Sequence, residues 1–144
     1  MSVPRLVVDA SVAFKWYYPE EDAEIAGALL ERSERGELEL IAPEFLALEL
    51  LNIIWKQLRR QAITARQADR AMEAIPEATI TWVWDAPHLE AAYRLATAHD
   101  CSVYDALYLA VGEANDAMVI TADRGLREKA PERVRMLGEF GSLT

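Results

Sequence analysis

The chain has 144 residues, the length of one domain, and can bury a core without disulfides or a structural metal. Hydrophobic residues make up 52% of it, which excludes a disordered chain. Cys101 is the single cysteine, so an internal disulfide is excluded, and together with His88 and His99 it offers too few ligands for a zinc site. The net charge of -9 argues against a nucleic-acid binder unless bound cations offset it.

The beginning of the printed sequence bears on localisation. Its first apolar run is short and is broken by Asp9, so we expect neither a signal peptide nor a membrane span there. A lone thiol is typical of a reducing compartment. We therefore expect a cytoplasmic protein.

Short β-rich runs alternate with helical patterns along the chain. The runs predict strands at 6–8, 38–42, 79–83 and 118–121, with a fifth at 134–137. Helical spacing predicts helices at 21–35, 44–60, 103–115 and, less sharply bounded, before Pro76, from Pro87 to Asp100 and after Asp123. This alternation predicts an α/β fold, with residues 1–144 forming one domain around a mostly parallel sheet of about five strands.

Four residues are expected to start helices. Ser11 should cap a short helix that ends near Trp16, Thr64 should form a capping box with Gln67, Asp85 should cap the helix after it, and Ser102 should start helix 103–115.

Two aspartates stand at the ends of predicted strands. Asp9 follows the first strand and Asp123 follows the fourth, at the edge where parallel sheets build binding sites. The alternative is that each aspartate only caps the helix after it. For Asp9 that alternative is weaker, because Ser11 is available as the cap.

Two further carboxylates lie in helical patterns. Glu49 interrupts a long apolar helix and forms a narrow polar stripe with Asn52 and Lys56, so it needs a partner, a metal or solvent. Asp105 opens the helix after Ser102, where a capping box is the structural alternative and an inward-facing carboxylate is the functional one. Four anions in one pocket would repel one another, and oxygen ligands of this kind suit Mg²⁺ or Mn²⁺. Two such ions about 4 Å apart can activate a water against a phosphodiester.

The chain resembles PIN-domain nucleases, and within them the VapC-type toxins of toxin–antitoxin pairs. The resemblance is carried, in family order, by the segments VVDASVAFKW, PEFLALELLNIIWK, SVYDALYLA and ITADRGL. It implies a metal-dependent endoribonuclease in which Asp9, Glu49, Asp105 and Asp123 are catalytic and hold Mg²⁺ or Mn²⁺. It also implies an RNA substrate, a homodimer and inhibition by a cognate antitoxin.

The resemblance also assigns supporting positions. Ser11, Asn52 and Thr121 match residues that usually support such a site by hydrogen bonding. Leu126 departs from the phenylalanine of many relatives, which we interpret as a packing change. Asp116 is acidic but lies in a turn before a strand, so we interpret it as a turn residue.

Other residues are candidates for contacts with RNA or with a partner protein. Trp16, next to Tyr17 and Tyr18, could stack on unpaired bases, although core packing is the favoured interpretation. Arg124 and Arg127 could contact phosphates or could form a solvated helix face. Trp55 adds apolar surface beyond the needs of one core, which suggests a protein partner.

Four alternative functions remain open. A PIN nuclease in housekeeping RNA processing would have the same sequence features, and a PIN fold kept only for binding would not need all four carboxylates. A receiver domain normally has an acidic pair after its first strand, but Asp9 stands alone. A D-x-D phosphatase is disfavoured because the third position is Ser11.

Overall fold

The computed structural model describes residues 2–143. Five parallel strands form one sheet in the order β3-β2-β1-β4-β5, which confirms the predicted α/β class. Their bounds, within two residues of the predicted ones, are β1 (Arg5–Val8), β2 (Glu39–Pro43), β3 (Thr81–Val83), β4 (Met118–Thr121) and β5 (Val134–Met136).

Helices fill the connections between these strands. They are α1 (Ala10–Ala13), α2 (Ala23–Glu34), α3 (Phe45–Arg59), α4 (Ala65–Ala74), α5 (Leu89–His99), α6 (Val103–Asn115) and α7 (Arg124–Lys129). Short 3-10 turns lie at Phe14–Trp16, Ile75–Glu77, Ala86–His88 and Leu137–Leu143. Over residues 2–143, no helix combines the length and apolarity needed to cross a bilayer.

The core is built around β1 and α6. Residues 6–8 of β1 are buried because both faces of a parallel strand are covered. Helix α6 packs across β1, β2 and β4, and its residues 106–112 are all buried. The chain crosses the sheet in one direction from β1 to β2 and in the other from β3 to β4, so right-handed crossovers place α2 and α6 on opposite faces.

The strand order creates a crevice between β1 and β4. The chain leaves β1 toward β2 on one side, while β4 lies on the other side, so helices diverge beyond the carboxyl ends of β1 and β4. Val8 pairs with Ile120, which brings the next residues, Asp9 and Thr121, side by side at this crevice.

Of the four expected caps, those at Ser11 and Asp85 are wrong and those at Thr64 and Ser102 are confirmed. Ser11 lies inside α1, whose cap is the carboxylate of Asp9, because that carboxylate already reaches the backbone N–H of Val12 at 3.2 Å. Asp85 makes no cap bond to the turn after it; its Oδ1 accepts from the backbone N–H of Phe45 at 3.3 Å, at the start of α3. The capping box at the start of α4 is present as predicted.

Candidate active site

Asp9 is the most buried of the predicted carboxylates, with 7% of its surface exposed. Its Oδ1 accepts hydrogen bonds from Ser11 Oγ at 2.6 Å and from the backbone N–H of Val12 at 3.2 Å, and its Oδ2 accepts from Thr121 Oγ1 at 2.5 Å. Burial raises the pKa of Asp9 to about 6, because the cost of desolvating the charge outweighs these three bonds; the charge of Asp105 adds to the rise.

Two hydroxyl groups join the ends of β1 and β4 around this carboxylate. Thr121 is fully buried, and its Oγ1 also accepts from the backbone N–H of Asp123 at 3.0 Å. Ser11 Oγ accepts from the backbone N–H of Ala122 at 2.9 Å, and the two hydroxyl oxygens lie 3.2 Å apart. Ser11 and Thr121 therefore hold Asp9 and the segment leading to Asp123 in one network.

Asp123 is the exposed member of the set and is also the cap of α7. Its Oδ1 accepts from the backbone N–H of Gly125 at 2.8 Å, as the capping alternative expected. Its negative charge nevertheless raises the pKa of Asp105, so the two carboxylates lie near each other. The capping contact and membership of an acidic cluster are both present at this residue.

Asp105 lies in the first turn of α6. Ser102 caps that helix, its Oγ accepting from the backbone N–H of Asp105 at 3.0 Å. Burial first, and then the charge of Asp123, raises the pKa of Asp105, while the Ser102 hydroxyl and the charge of Lys129 lower it. Ser102 thus supplies the cap, and the side chain of Asp105 is left facing the other acidic groups.

Glu49 is held by a residue that the sequence analysis missed. Tyr108 is buried on α6 and donates its hydroxyl hydrogen to Glu49 Oε1 on α3. Burial raises the pKa of Glu49, although the hydrogen bond from Tyr108 lowers it, and the charges of Asp9 and Asp105 raise it further. Burial and the Glu49 charge also raise the pKa of Tyr108, so Tyr108 stays a hydrogen-bond donor.

Asp9 and Asp123 follow neighbouring strands at one edge of the sheet. The charge of Asp105 acts on Asp9 and Glu49, the charge of Asp9 acts on Glu49, and the charge of Asp123 acts on Asp105. Within residues 2–143, no three or more acidic, histidine or cysteine side chains are grouped closely enough to hold a metal ion.

The other predicted supporting residue, Asn52, occupies a different environment. It lines a cavity of about 600 Å³ together with Glu49 and Asp105. Its side-chain amide makes no hydrogen bond to the described part of the chain, unlike the hydroxyl groups of Ser11 and Thr121.

The candidate RNA contacts separate into core and surface residues. Trp16 packs against the core, and its Nε1 donates to the carbonyl oxygen of Ala26 at 2.9 Å, which favours the core interpretation. Arg124 is exposed. Arg127 is half-buried, and its Nε lies 3.9 Å from Oε1 of Glu139. Both arginines line a cavity of about 640 Å³ with Lys15, a third cation that the sequence analysis did not single out.

The raised pKa of Asp9 predicts a pH-dependent stability of the metal-free protein. The folded-state pKa of about 6 lies above the ordinary carboxyl value of 3.8, so the ionisation of Asp9 destabilises the fold fully above pH 6 and not at all well below pH 4. The difference of about two pH units corresponds to about 3 kcal/mol. Asp9→Asn should therefore melt several degrees higher than the wild type at pH 7 in a chelator, and the gain should shrink toward pH 4.

Asparagine at position 9 can make the same hydrogen bonds, so the comparison with the wild type isolates the effect of the charge. Its Oδ1 can accept from Ser11 and Val12, its Nδ2 can donate to Thr121 Oγ1, and the Thr121 hydroxyl can turn to Ser11 Oγ at 3.2 Å. Asp116→Asn is the matched control, because Asp116 is exposed at the opposite end of β4 with a φ of 50° that asparagine tolerates. A gain for Asp9→Asn that grows toward pH 4 would contradict the pKa assignment.

Comparison with known proteins agrees with the fold and the order of motifs. The PIN domain family model matches residues 6–131. Ribonuclease VapC3 of Pyrobaculum aerophilum is 36% identical over 132 residues, covering 90% of this chain and 98% of that protein.

Solved structures match over most of both chains. PAE2754 from Pyrobaculum aerophilum has a TM-score of 0.72 at 22% identity and covers 96% of this chain and 86% of its own. A chain of a toxin–antitoxin complex from Klebsiella pneumoniae has a TM-score of 0.66 at 16% identity, and the match covers 92% of this chain and 97% of that one. These two matches show a shared fold, and the matches in sequence show more: the chain belongs to the PIN-domain family and is of the VapC type.

Proposed function

We propose that this protein is an Mg²⁺- or Mn²⁺-dependent endoribonuclease that hydrolyses RNA phosphodiesters and acts as the toxin of a toxin–antitoxin pair. The observation that carries the proposal is the buried carboxylate of Asp9, held by Ser11 and Thr121 at the crevice between β1 and β4. The raised pKa values of Glu49 and Asp105, to which neighbouring carboxylates contribute, accompany it. The curated relative is named a ribonuclease, which supports RNA as the substrate class.

The donor set fits a hard divalent cation. All four side chains offer oxygen, and Mg²⁺ binds through one or two carboxylates while keeping several waters, so a closed protein cage is not required. Burial and neighbouring negative charge raise the pKa values of Asp9, Glu49 and Asp105, and a bound cation would stabilise their ionised forms. When bound, such an ion would offset the negative charge that develops as water attacks the phosphodiester.

The chain's own residues would fix the geometry of that reaction. Ser11 and Thr121 hold Asp9, Tyr108 holds Glu49, and the Ser102 cap sets the position of Asp105. The carboxylates would orient the attacking water, and Arg124 and Arg127 would bind neighbouring phosphates.

The toxin role rests on the comparisons and on charge. One structural match is part of a toxin–antitoxin complex, and the chain carries a net charge of -9. We propose a cytoplasmic protein whose antitoxin inserts a basic segment, with an arginine reaching the carboxylates. We expect the neighbouring gene to encode a small DNA-binding protein, and co-expression of the two proteins should yield a stable complex. A partner with an acidic contacting segment would contradict the charge argument.

The surface of α3 supports a homodimer. Leu51, Trp55 and Leu58 form an exposed apolar stripe along one side of the helix, and Arg59 lies over the Trp55 ring at 5.1 Å. A stripe of this kind is typical of a helix that packs against a second chain. Light scattering of the purified protein should report twice the mass of one chain, and a monomer at high concentration would exclude the dimer.

Charge-neutral variants separate a catalytic site from simple helix caps. Asparagine caps a helix about as well as aspartate, so under a purely structural role Asp105→Asn and Asp123→Asn should leave stability unchanged. We expect both variants to melt above the wild type in a chelator, because a repelling charge is removed. We expect Mg²⁺ or Mn²⁺ to raise their melting temperatures less than that of the wild type. We also expect them to cleave total cellular RNA at least about a hundredfold more slowly.

Asp116→Asn again serves as the control, because it makes the same chemical change at the other end of β4. It should melt and cleave like the wild type. These aspartates would be only caps if all variants had the melting temperature of the wild type in the chelator and neither ion raised the melting temperature of the wild type.

Tyr108 provides a second test of the same site. Tyr108→Phe removes the donor to Glu49 with little loss of buried volume, so the fold should persist while Glu49 loses its fixed orientation. We expect Mn²⁺ affinity, measured by titration of the purified protein, and the cleavage rate both to fall by about 10- to 100-fold. Tyr93→Phe, on the exposed side of α5, should change neither; unchanged Mn²⁺ affinity in Tyr108→Phe would remove Glu49 from the metal site.

A further inference from the structure

A largely apolar cavity opens directly beside two of the carboxylates. Glu49 and Asp105 form part of its wall, and Phe45, Leu48 and Asn52 of α3 and Tyr104 of α6 form much of the rest. Its volume of about 600 Å³ lies in the range of small-molecule sites. Leu48 is 62% exposed and Tyr104 is 64% exposed, so these side chains are not used to fill the core.

Tyr104 is held in a fixed orientation by its neighbour. Its ring stacks on Phe45 with 5.3 Å between the centroids and 15° between the planes. Phe45 itself is partly buried against the core, so the pair is anchored on one side and open on the other. An anchored and exposed aromatic ring is a platform on which another flat group can stack.

The distribution of charge distinguishes this cavity from its neighbour. Lys15, Arg124 and Arg127 line the cavity on the Asp123 side together with Glu21, Asp22, Glu128 and Glu139, so that cavity carries charges of both signs. The cavity beside Tyr104 has no lysine or arginine among its lining residues. It offers instead a ring, aliphatic carbons and the amide of Asn52, which has no hydrogen bond to the described part of the chain.

We propose that the cavity beside Tyr104 binds an unpaired nucleobase of the RNA, next to the phosphodiester that is cut. This inference rests on the proposed function, because a base is tied through its ribose to the phosphate at the carboxylates and must lie beside them. The base stacks on Tyr104, and the Asn52 amide bonds to its edge. The phosphates on the other side of the cut extend toward Arg124 and Lys15.

This assignment moves the stacking role from Trp16 to Tyr104. The Trp16 ring is packed and its N–H is already bonded to Ala26, whereas Tyr104 is exposed at the carboxylates themselves. It also gives Asn52 a role other than holding a neighbouring side chain.

The test is a coupling experiment between one side chain and one base. Cleavage sites in total cellular RNA are mapped first, and a 20-nucleotide RNA (a length chosen at roughly the span of a short stem–loop) is copied from the strongest site. Each nucleotide flanking the cut is then replaced in turn by an abasic one. Tyr104→Leu keeps apolar bulk without a ring, Tyr104→Phe keeps the ring, and Tyr93→Leu is the control on α5.

On the intact RNA, we expect Tyr104→Leu to raise KM by about 5- to 100-fold with kcat little changed, while Tyr104→Phe and Tyr93→Leu behave like the wild type. On one abasic strand, the wild type and Tyr104→Leu should have the same KM, which identifies the base in the cavity. Light scattering should give Tyr104→Leu the same mass as the wild type.

Four results would overturn the inference. Equal KM values of the wild type and Tyr104→Leu on intact RNA would do so while leaving the ribonuclease proposal intact, as would an equal loss on every abasic strand. A change of oligomeric state in Tyr104→Leu would show that the cavity contacts protein instead. If the wild type cuts no RNA with either ion, the proposed function fails and the inference fails with it.

Discussion

The burial of a carboxylate between the ends of β1 and β4 is the constraint on which the rest of this site depends. Asp9 accepts three hydrogen bonds, from Ser11, Val12 and Thr121, and its pKa is nevertheless raised to about 6. The ionised carboxylate of Asp9 therefore lowers the free energy of unfolding at neutral pH. An aspartate that only capped α1 could make its capping bond in contact with solvent, without the cost of burying a charge. The burial of Asp9 therefore indicates a function.

Three helix starts meet at this buried charge. Asp9 caps α1, Asp123 caps α7, and Asp105 lies in the first turn of α6 behind the Ser102 cap. The positive ends of the helices partly stabilise the anions, which lets the protein gather carboxylates that repel one another. A capping contact is thus compatible with the catalytic role that we propose for Asp9 and Asp123, and it fixes where their carboxylates lie.

Much of the fold and the choice of carboxylates could be predicted from the sequence. Strand ends are visible in local patterns, and parallel strands bring Asp9 and Asp123 to one edge whatever the details of packing. The cap expected at Ser11 is wrong, because Asp9 and Ser11 could both cap one helix and the outcome depends on backbone dihedral angles that the sequence does not display. Asp85 was misassigned because its partner Phe45 lies 40 residues away.

The remaining differences come from tertiary contacts. Tyr108 looked like one more apolar residue of α6, since nothing local shows that its hydroxyl meets Glu49 from another helix. Trp16 and Tyr104 are both aromatic residues beside a site motif, and only packing reveals that the first is held in the core while the second is exposed. Burial and long-range pairing are properties of the assembled fold, so no window of sequence contains them.

The central claim is that Asp9, Glu49, Asp105 and Asp123 together hold the divalent ion that RNA cleavage needs. Crystals of the wild-type protein grown with Mn²⁺ and measured at the manganese absorption edge test it most directly. We expect an anomalous peak among these four carboxylates, with oxygen ligands about 2.1 Å away, and no such peak in Asp105→Asn crystals. A well-ordered site with no manganese there, or manganese bound only elsewhere on the chain, would contradict the account.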